Sequence, residues 1–135
     1  MDNVSQVSNE KASSEPLPKG MIRGFLDGSD FALPGLRMIV GPLNNLVFAE
    51  LVGGNFKNKI AMSVKEEHLG KEIDVPNDAH CEIMVAGVLH LDVKGIVKLE
   101  SVAGFPWNKF KGTVAFEFDG GKSKFTSGVF DLSDE

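Results

Sequence analysis

Short apolar runs alternate with turn residues along most of this chain. From Gly20 onward, apolar stretches of roughly five to ten residues are separated by Gly, Pro, Asn and Asp. This spacing is typical of an all-β domain. We predict strands over residues 20–26, 36–40, 46–51, 59–64, 80–92 and 95–102, followed by a C-terminal hairpin. The expected fold is all-β, with about eight mainly antiparallel strands in a sandwich or flattened barrel.

Several of these runs place apolar residues at every second position. In residues 59–64, Ile60, Met62 and Val64 share one face, as in a half-buried strand. Residues 80–92 are predicted as one strand whose buried face carries Cys81, Ile83, Val85, Leu89 and Leu91. Cys81 is therefore interpreted as a small buried hydrophobe rather than a nucleophile.

The pattern allows at most one short helix and a flexible N-terminal tail. Ser63 and Glu66 have the spacing of a capping box, and Gly70 follows as a stop signal. Residues 1–19 are rich in Ser, Asn, Glu and Pro, so we predict a flexible tail, or alternatively a segment that orders on a partner. Residues 20–135 are predicted to form a single domain.

The stretch FEFDGGKSKF, residues 116–125, contains the Gly-Lys-Ser of a phosphate-binding loop. The first glycine of that motif is missing, because Phe116 occupies its position, and the following residues favour a strand over the required helix. A turn at Gly120-Gly121 instead aligns two opposite-charge pairs and one aromatic pair. These pairs are Asp119 with Lys122, Glu117 with Lys124, and Phe116 with Phe125. We also predict a bulge near Ser127-Gly128, where the buried parity of the strand changes.

Charge and composition restrict the classes of partner. The 135 residues carry a net charge of -5, and acidic residues are interleaved with the late lysines, so no nucleic-acid partner is expected. The most apolar region is interrupted by Arg37, Asn44, Asn45 and Glu50, which argues against a membrane span. A hydrophobic content of 42% suits a soluble protein, and a cytoplasmic location is favoured because no signal peptide is visible.

No motif for catalysis, for a cofactor or for a metal is found. A single cysteine excludes an internal disulfide, and His68, His80 and His90 lack the spacing of metal ligands. In one continuous strand His80 and His90 would lie about 33 Å apart, whereas a hairpin near Ala86-Gly87 would bring them closer. We therefore expect no catalytic residue, no cofactor and no metal, and a non-enzymatic protein.

Aromatic residues provide the remaining candidates. The chain has ten Phe, one Trp and no Tyr, and these Phe rings are expected to fill the interior or, alternatively, to line an apolar cavity. Trp107 is predicted to lie in a linker, residues 103–109, as a plug over one end of the core. The candidate binding residues are Phe105, Trp107, Phe110 and Phe130.

The C-terminal third carries three short glycine-containing strand motifs, at residues 95–97, 112–116 and 128–130. This part resembles the terminal strands of small all-β domains of unknown function in bacterial envelope lipoproteins. The resemblance covers roughly the last 45 residues and implies no functional residue. We predict a non-enzymatic binding or protein-interaction module of bacterial or phage type, with a protein partner or self-association. The alternative is a β-barrel carrier of a small apolar ligand.

Overall fold

The chain folds into an antiparallel all-β structure. This computed structural model describes residues 18–104 and 107–133, with the backbone alone at residues 101–104, 107 and 108. The ten strands are β1 (Lys19–Leu26), β2 (Ser29–Ile39), β3 (Leu43–Val52), β4 (Asn55–Lys65), β5 (Glu72–Val75), β6 (Ala79–Val85), β7 (Val88–His90), β8 (Lys94–Gly104), β9 (Trp107–Phe118) and β10 (Ser123–Ser133). A 3₁₀ turn, Glu66–His68, follows β4.

The strands form one sheet in the order β5-β8-β9-β10-β1-β2-β3-β4-β6-β7. The sheet curls into a half-barrel, with β5 and β7 as its two edge strands. The predicted all-β, antiparallel fold is confirmed, with ten strands in place of about eight. The two additional strands are β5, in a stretch where the sequence predicted no strand, and β7, which a tight turn separates from β6.

β2 forms the corner of the half-barrel. Its first half pairs with β1 as far as Pro34, and its second half pairs with β3 from Gly35 onward, with a bulge before Arg37. Pro34 has no backbone N–H to donate to a neighbouring strand. It lies where β2 stops pairing with β1 and begins to pair with β3, so its missing N–H interrupts neither pairing in the middle. Residues 32–35, which lie between two of the predicted strands, are therefore a bend within one strand.

The concave side of the sheet holds one contiguous hydrophobic core. Of the nine Phe in the described part of the chain, six are buried there: Phe48, Phe110, Phe116, Phe118, Phe125 and Phe130. Two edge-to-face ring pairs join different parts of the sheet, Phe48 with Phe130 and Phe31 with Phe125, each with centroids 5.9 Å apart. The inner-face assignment of Ile60, Met62 and Val64 is confirmed.

The predicted capping box does not form. Ser63 lies within β4, where its hydroxyl donates a hydrogen bond to Asn45 Oδ1 at 2.7 Å. The 3₁₀ turn begins after Lys65, which provides no side-chain cap. A cross-strand neighbour on β3 therefore competes successfully for the Ser63 hydroxyl that the sequence assigned to a helix end.

The C-terminal hairpin has the predicted register. Phe118 pairs with Ser123, Glu117 with Lys124, and Phe116 with Phe125. The predicted bulge is also present: the register shifts between Phe125 and Gly128, and Ser127 has a φ of 52°. Because of this bulge, Phe125 and Phe130 are both buried although they have opposite parity.

Residues 80–92 are not one strand. Ala86 and Gly87 have φ values of 50° and 82° and form a tight turn between β6 and β7. The turn moves every later residue to the opposite face, so Leu89 pairs with the outward Met84, and His90 pairs with the inward Ile83. The prediction that Leu89 and Leu91 are buried is therefore wrong, and both are exposed.

Candidate interaction site

Two neighbouring hairpins extend beyond the core at one end of the half-barrel. All eight residues from 50 to 57, at the end of the β3–β4 hairpin, are exposed, so neither face of this segment is covered. The β6–β7 turn lies beside it, because the Gly87 N–H donates a hydrogen bond to the Lys57 carbonyl oxygen at 2.8 Å. Residues 50–57 and 86–91 together are called the hairpin projection below.

The hairpin projection carries six exposed apolar side chains. Their exposed fractions run from 39% for Phe56 to 64% for Leu91, and the others are Leu51, Val52, Val88 and Leu89. Single exposed apolar residues are ordinary on a protein surface, whereas a concentration of them marks an interaction site. Here they occupy adjacent positions on two hydrogen-bonded hairpins.

Asn58 connects the strands at the base of the projection. Its Oδ1 accepts a hydrogen bond from the Ala86 N–H at 3.0 Å, and its Nδ2 donates to Glu50 Oε1 at 2.8 Å. One side chain on β4 thus links β3 to the β6–β7 turn. These bonds restrict the relative movement of the two hairpins, which lowers the entropy that a partner must remove on binding.

Lys59 adds a second connection on the outer face. Its Nζ lies 3.0 Å from Glu82 Oε2 and 5.0 Å from the centroid of the Phe56 ring. The ammonium group therefore joins β4 to β6 and also orients an exposed aromatic ring. The bonds of Asn58 and Lys59 thus hold the strands that carry the apolar side chains in fixed relative positions.

β7 presents an incompletely paired backbone. Val88 pairs with Val85 at the tight turn, so the N–H and C=O of Val88 point toward β6. In an antiparallel strand, successive residues point these groups to alternate sides. The N–H and C=O of Leu89 therefore point away from β6. β7 is an edge strand, and no other described strand pairs with that side. The Leu89 N–H and C=O are therefore oriented toward an additional strand.

The described candidate residues from the sequence lie outside the hairpin projection. Phe110 and Phe130 are buried on the concave side and belong to the core. Trp107 is the first residue of β9 and pairs with Gly104, so it lies in a strand and not in the predicted linker. Phe105 lies outside the described residues. A binding role for these four residues stays a prediction.

The sequence reasoning missed the apolar residues of the projection. Leu51 and Val52 are adjacent apolar residues directly before Gly53-Gly54, and Val88 and Leu89 are adjacent directly after Ala86-Gly87. In a half-buried strand, adjacent apolar residues point to opposite faces. Two adjacent apolar residues beside a turn therefore indicate that at least one of the two side chains faces solvent, and this pattern could have identified the projection from the sequence.

Cys81 is buried, and this burial, with a smaller effect of Glu82, raises the pKa of its thiol well above the ordinary value. Its interpretation as a buried hydrophobe is confirmed. Within residues 18–104 and 107–133, no three His, Cys, Asp or Glu side chains form a group that could hold a metal ion.

Asp92 has a structural role at the same end of the half-barrel. Its carboxylate accepts hydrogen bonds from the Gly120 N–H at 2.8 Å and the Asp119 N–H at 3.1 Å. These two bonds lower the pKa of Asp92. The residue thereby fixes the segment between β7 and β8 against the β9–β10 turn, and His90 packs on Phe118 with ring centroids 5.0 Å apart.

The late lysines lie on a mixed outer face. Across the sheet, Lys94 and Lys124 both pair with Glu117, and Lys111 pairs with Glu100 and with Asp131. Alternation of opposite charges on neighbouring strands disperses the positive potential that phosphate binding requires. The predicted interleaving of charges is confirmed for these strands.

In the part of the chain that the structure describes, no helix has the length and apolar character needed to cross a membrane. Comparisons with protein-family models, with curated proteins and with solved structures find no match for this chain. The resemblance of the C-terminal strands to envelope lipoprotein domains therefore stays a prediction.

Proposed function

We propose that this protein is a non-enzymatic protein-interaction module that binds its partner through the hairpin projection. The observation that carries the proposal is the concentration of six exposed apolar side chains on a hydrogen-bonded pair of hairpins, beside an edge strand. Apolar side chains supply the burial energy of an interface, and an open strand edge supplies directional backbone hydrogen bonds.

The interior supports this function over that of a small-ligand carrier. A carrier needs an apolar cavity of several hundred Å³, whereas the inner side chains of the half-barrel form one packed cluster that includes six Phe rings. Six of the Phe residues that suggested an apolar cavity in the sequence belong to this packed core. The exposed apolar surface is then the better candidate for binding.

The two edge strands of the sheet differ in how they are protected. Both edge strands are short, but β5 exposes the acidic side chains of Glu72 and Asp74, which discourage pairing with another strand. β7 exposes Val88 and Leu89 instead, and its one ionisable side chain, His90, packs against Phe118. This asymmetry favours β7 as the binding edge.

A pair of matched substitutions tests the proposal. Leu89→Glu places a charge on the β7 edge, and Val129→Glu places the same charge on the outer face of β10 at a similar exposure, 44% against 48%. Bound proteins are captured from the host extract with each tagged variant, and self-association of each is measured separately. We expect Leu89→Glu to lose the specific partner or the self-association that the wild type and Val129→Glu retain.

Equal binding by all three proteins would contradict the proposal, and so would a wild type that neither captures a specific protein nor self-associates. Circular dichroism and urea unfolding of both variants serve as folding controls. Since both residues are about half exposed, each substitution should change the free energy of unfolding by about 1 kcal/mol or less.

A further inference from the structure

We infer that the partner bound at the hairpin projection is a second copy of this chain, paired antiparallel through β7. The inference rests on the proposed function, since it names the occupant of the same site. Its first support is the backbone of Leu89, whose N–H and C=O face away from β6. An additional strand is the structural element that satisfies both groups together.

A two-fold axis at Leu89 gives a self-consistent register. Leu89 then faces Leu89 of the second copy and exchanges two backbone hydrogen bonds with it. In the same register Val88 faces His90, and Gly87 faces Leu91. The two protomers contribute identical apolar residues, so the interface is complementary to itself without any further partner.

The charges near β7 also favour an uncharged, apolar partner. Glu82 pairs with Lys59, Glu50 accepts a hydrogen bond from Asn58, and the Asp92 carboxylate is bound to the β9–β10 turn. Each of these carboxylates already accepts bonds within the chain, and the exposed Lys57 adds one positive charge to the same projection. Self-associating interfaces are the more apolar class, whereas charge steering is typical of partners of opposite sign.

The apolar area at the pairing edge indicates a weak association. Three of the six side chains lie on β7 or directly after it: Val88, Leu89 and Leu91, which are 57%, 44% and 64% exposed. With about 170 Å² for a fully exposed large apolar residue, they offer roughly 280 Å² per copy and about 560 Å² per pair, which is in the range of weak, transient interfaces. We therefore expect a weak dimer with a dissociation constant on the order of hundreds of micromolar.

Salt provides a diagnostic for this dimer. Each copy carries a net charge of -5, so two copies repel each other at long range. Raising the salt concentration from about 0.05 M to about 0.5 M screens this repulsion, and the apolar contact remains. The dimer should become tighter with salt, whereas binding to an oppositely charged partner would become weaker.

Sedimentation velocity of the full chain from about 1 µM to about 1 mM measures the association over the range expected for such an interface. We expect a concentration-dependent monomer–dimer equilibrium for the wild type. Leu89→Pro removes the outward N–H and is tolerated at an edge position, so this variant should remain monomeric throughout. Val129→Glu, on the outer face of β10, should dimerise like the wild type.

Cross-linking tests the register itself. Residues that face each other in a hydrogen-bonded antiparallel pair have Cα atoms about 5.5 Å apart, which a disulfide can span. Leu89→Cys should therefore form a covalent dimer under mild oxidation, and Val129→Cys should not. The native Cys81 is buried, so it does not compete in this experiment.

The outcomes separate the inference from the proposed function. A wild type that is monomeric up to about 1 mM and still captures a different protein through Leu89 would overturn the inference and leave the proposed function standing. A dimer that survives Leu89→Pro would also overturn the inference. Failure of both capture and self-association would overturn the proposed function as well.

Discussion

Truncation of Phe48 tests whether the half-barrel has a packed core or a ligand cavity. The Phe48 side chain is fully buried, with an exposed fraction of 0%, and its ring lies edge-to-face with Phe130. Phe48→Ala removes that ring contact, which contributes about 0.5–1.5 kcal/mol. It also leaves a void, so the total loss in the free energy of unfolding should be about 3–5 kcal/mol.

Urea unfolding followed by circular dichroism measures this loss. Domains of this size have a total stability of about 5–15 kcal/mol, so the midpoint should fall strongly while the slope stays nearly constant. Phe25→Ala is the matched control, because Phe25 is 43% exposed on the outer face of β1. The control should lose about 1 kcal/mol or less.

A loss for Phe48→Ala no larger than that for Phe25→Ala would refute the packed-core argument. Such tolerance of a void is expected of a carrier whose interior already contains space for a ligand, and it would weaken the proposed function. If Phe48→Ala does not fold, Phe48→Leu gives the same comparison with an expected loss of about 1–2 kcal/mol.

Three further substitutions test individual features of the fold, each by urea unfolding. Asp92→Asn should lower stability at pH 7. Because backbone N–H groups lower the Asp92 pKa, its contribution is present above the ordinary value of about 3.9, and the difference from the wild type should disappear as the pH falls through the lower folded value. Gly35→Ala should cost about 1–3 kcal/mol, because the added Cβ would lie 2.3 Å from the Cδ1 atom of the buried Leu132. Ala86→Asn should stabilise by about 0.5–1 kcal/mol, because the φ of 50° at this turn position suits Asn better than Ala.

The existence of most strands could be predicted from period-two patterns, and one register could be predicted from cross-strand chemistry. In the C-terminal hairpin, the pairs Glu117 with Lys124 and Phe116 with Phe125 favour one alignment over the alternatives, and the structure has that alignment. Local residues contain the information for such a hairpin because both strands lie within a few residues of the turn.

The sequence interpretation named the turn at Ala86-Gly87 only as the alternative to one continuous strand, because its first residue gives no turn signal. Ala rarely adopts a positive φ, so the apolar sequence around it was interpreted as one continuous strand. Without the turn, Leu89 and Leu91 were assigned to the buried face, and β7 was not predicted as a separate edge strand. The open strand edge that the proposed function requires was consequently absent from the sequence interpretation.

The exposure of the β3–β4 hairpin depends on residues that are far from it in the sequence. Alternating apolar residues indicate that a strand has two unlike faces, but they do not indicate how far the neighbouring strands extend. β2 pairs with β3 only as far as Gly35 opposite Phe48, because before Gly35 it bends away to pair with β1. On the other side, β6 pairs with β4 as far as Lys59.

Beyond those two points the β3–β4 hairpin has no further strand pairing on either side within the described chain, so Leu51, Val52 and Phe56 lie past the core. The bend at Pro34-Gly35 therefore accounts for much of the hairpin projection, although it lies more than fifteen residues away in the sequence. A local pattern could not contain this relation. A substitution that straightened β2 would be expected to cover part of the projection and to weaken binding there.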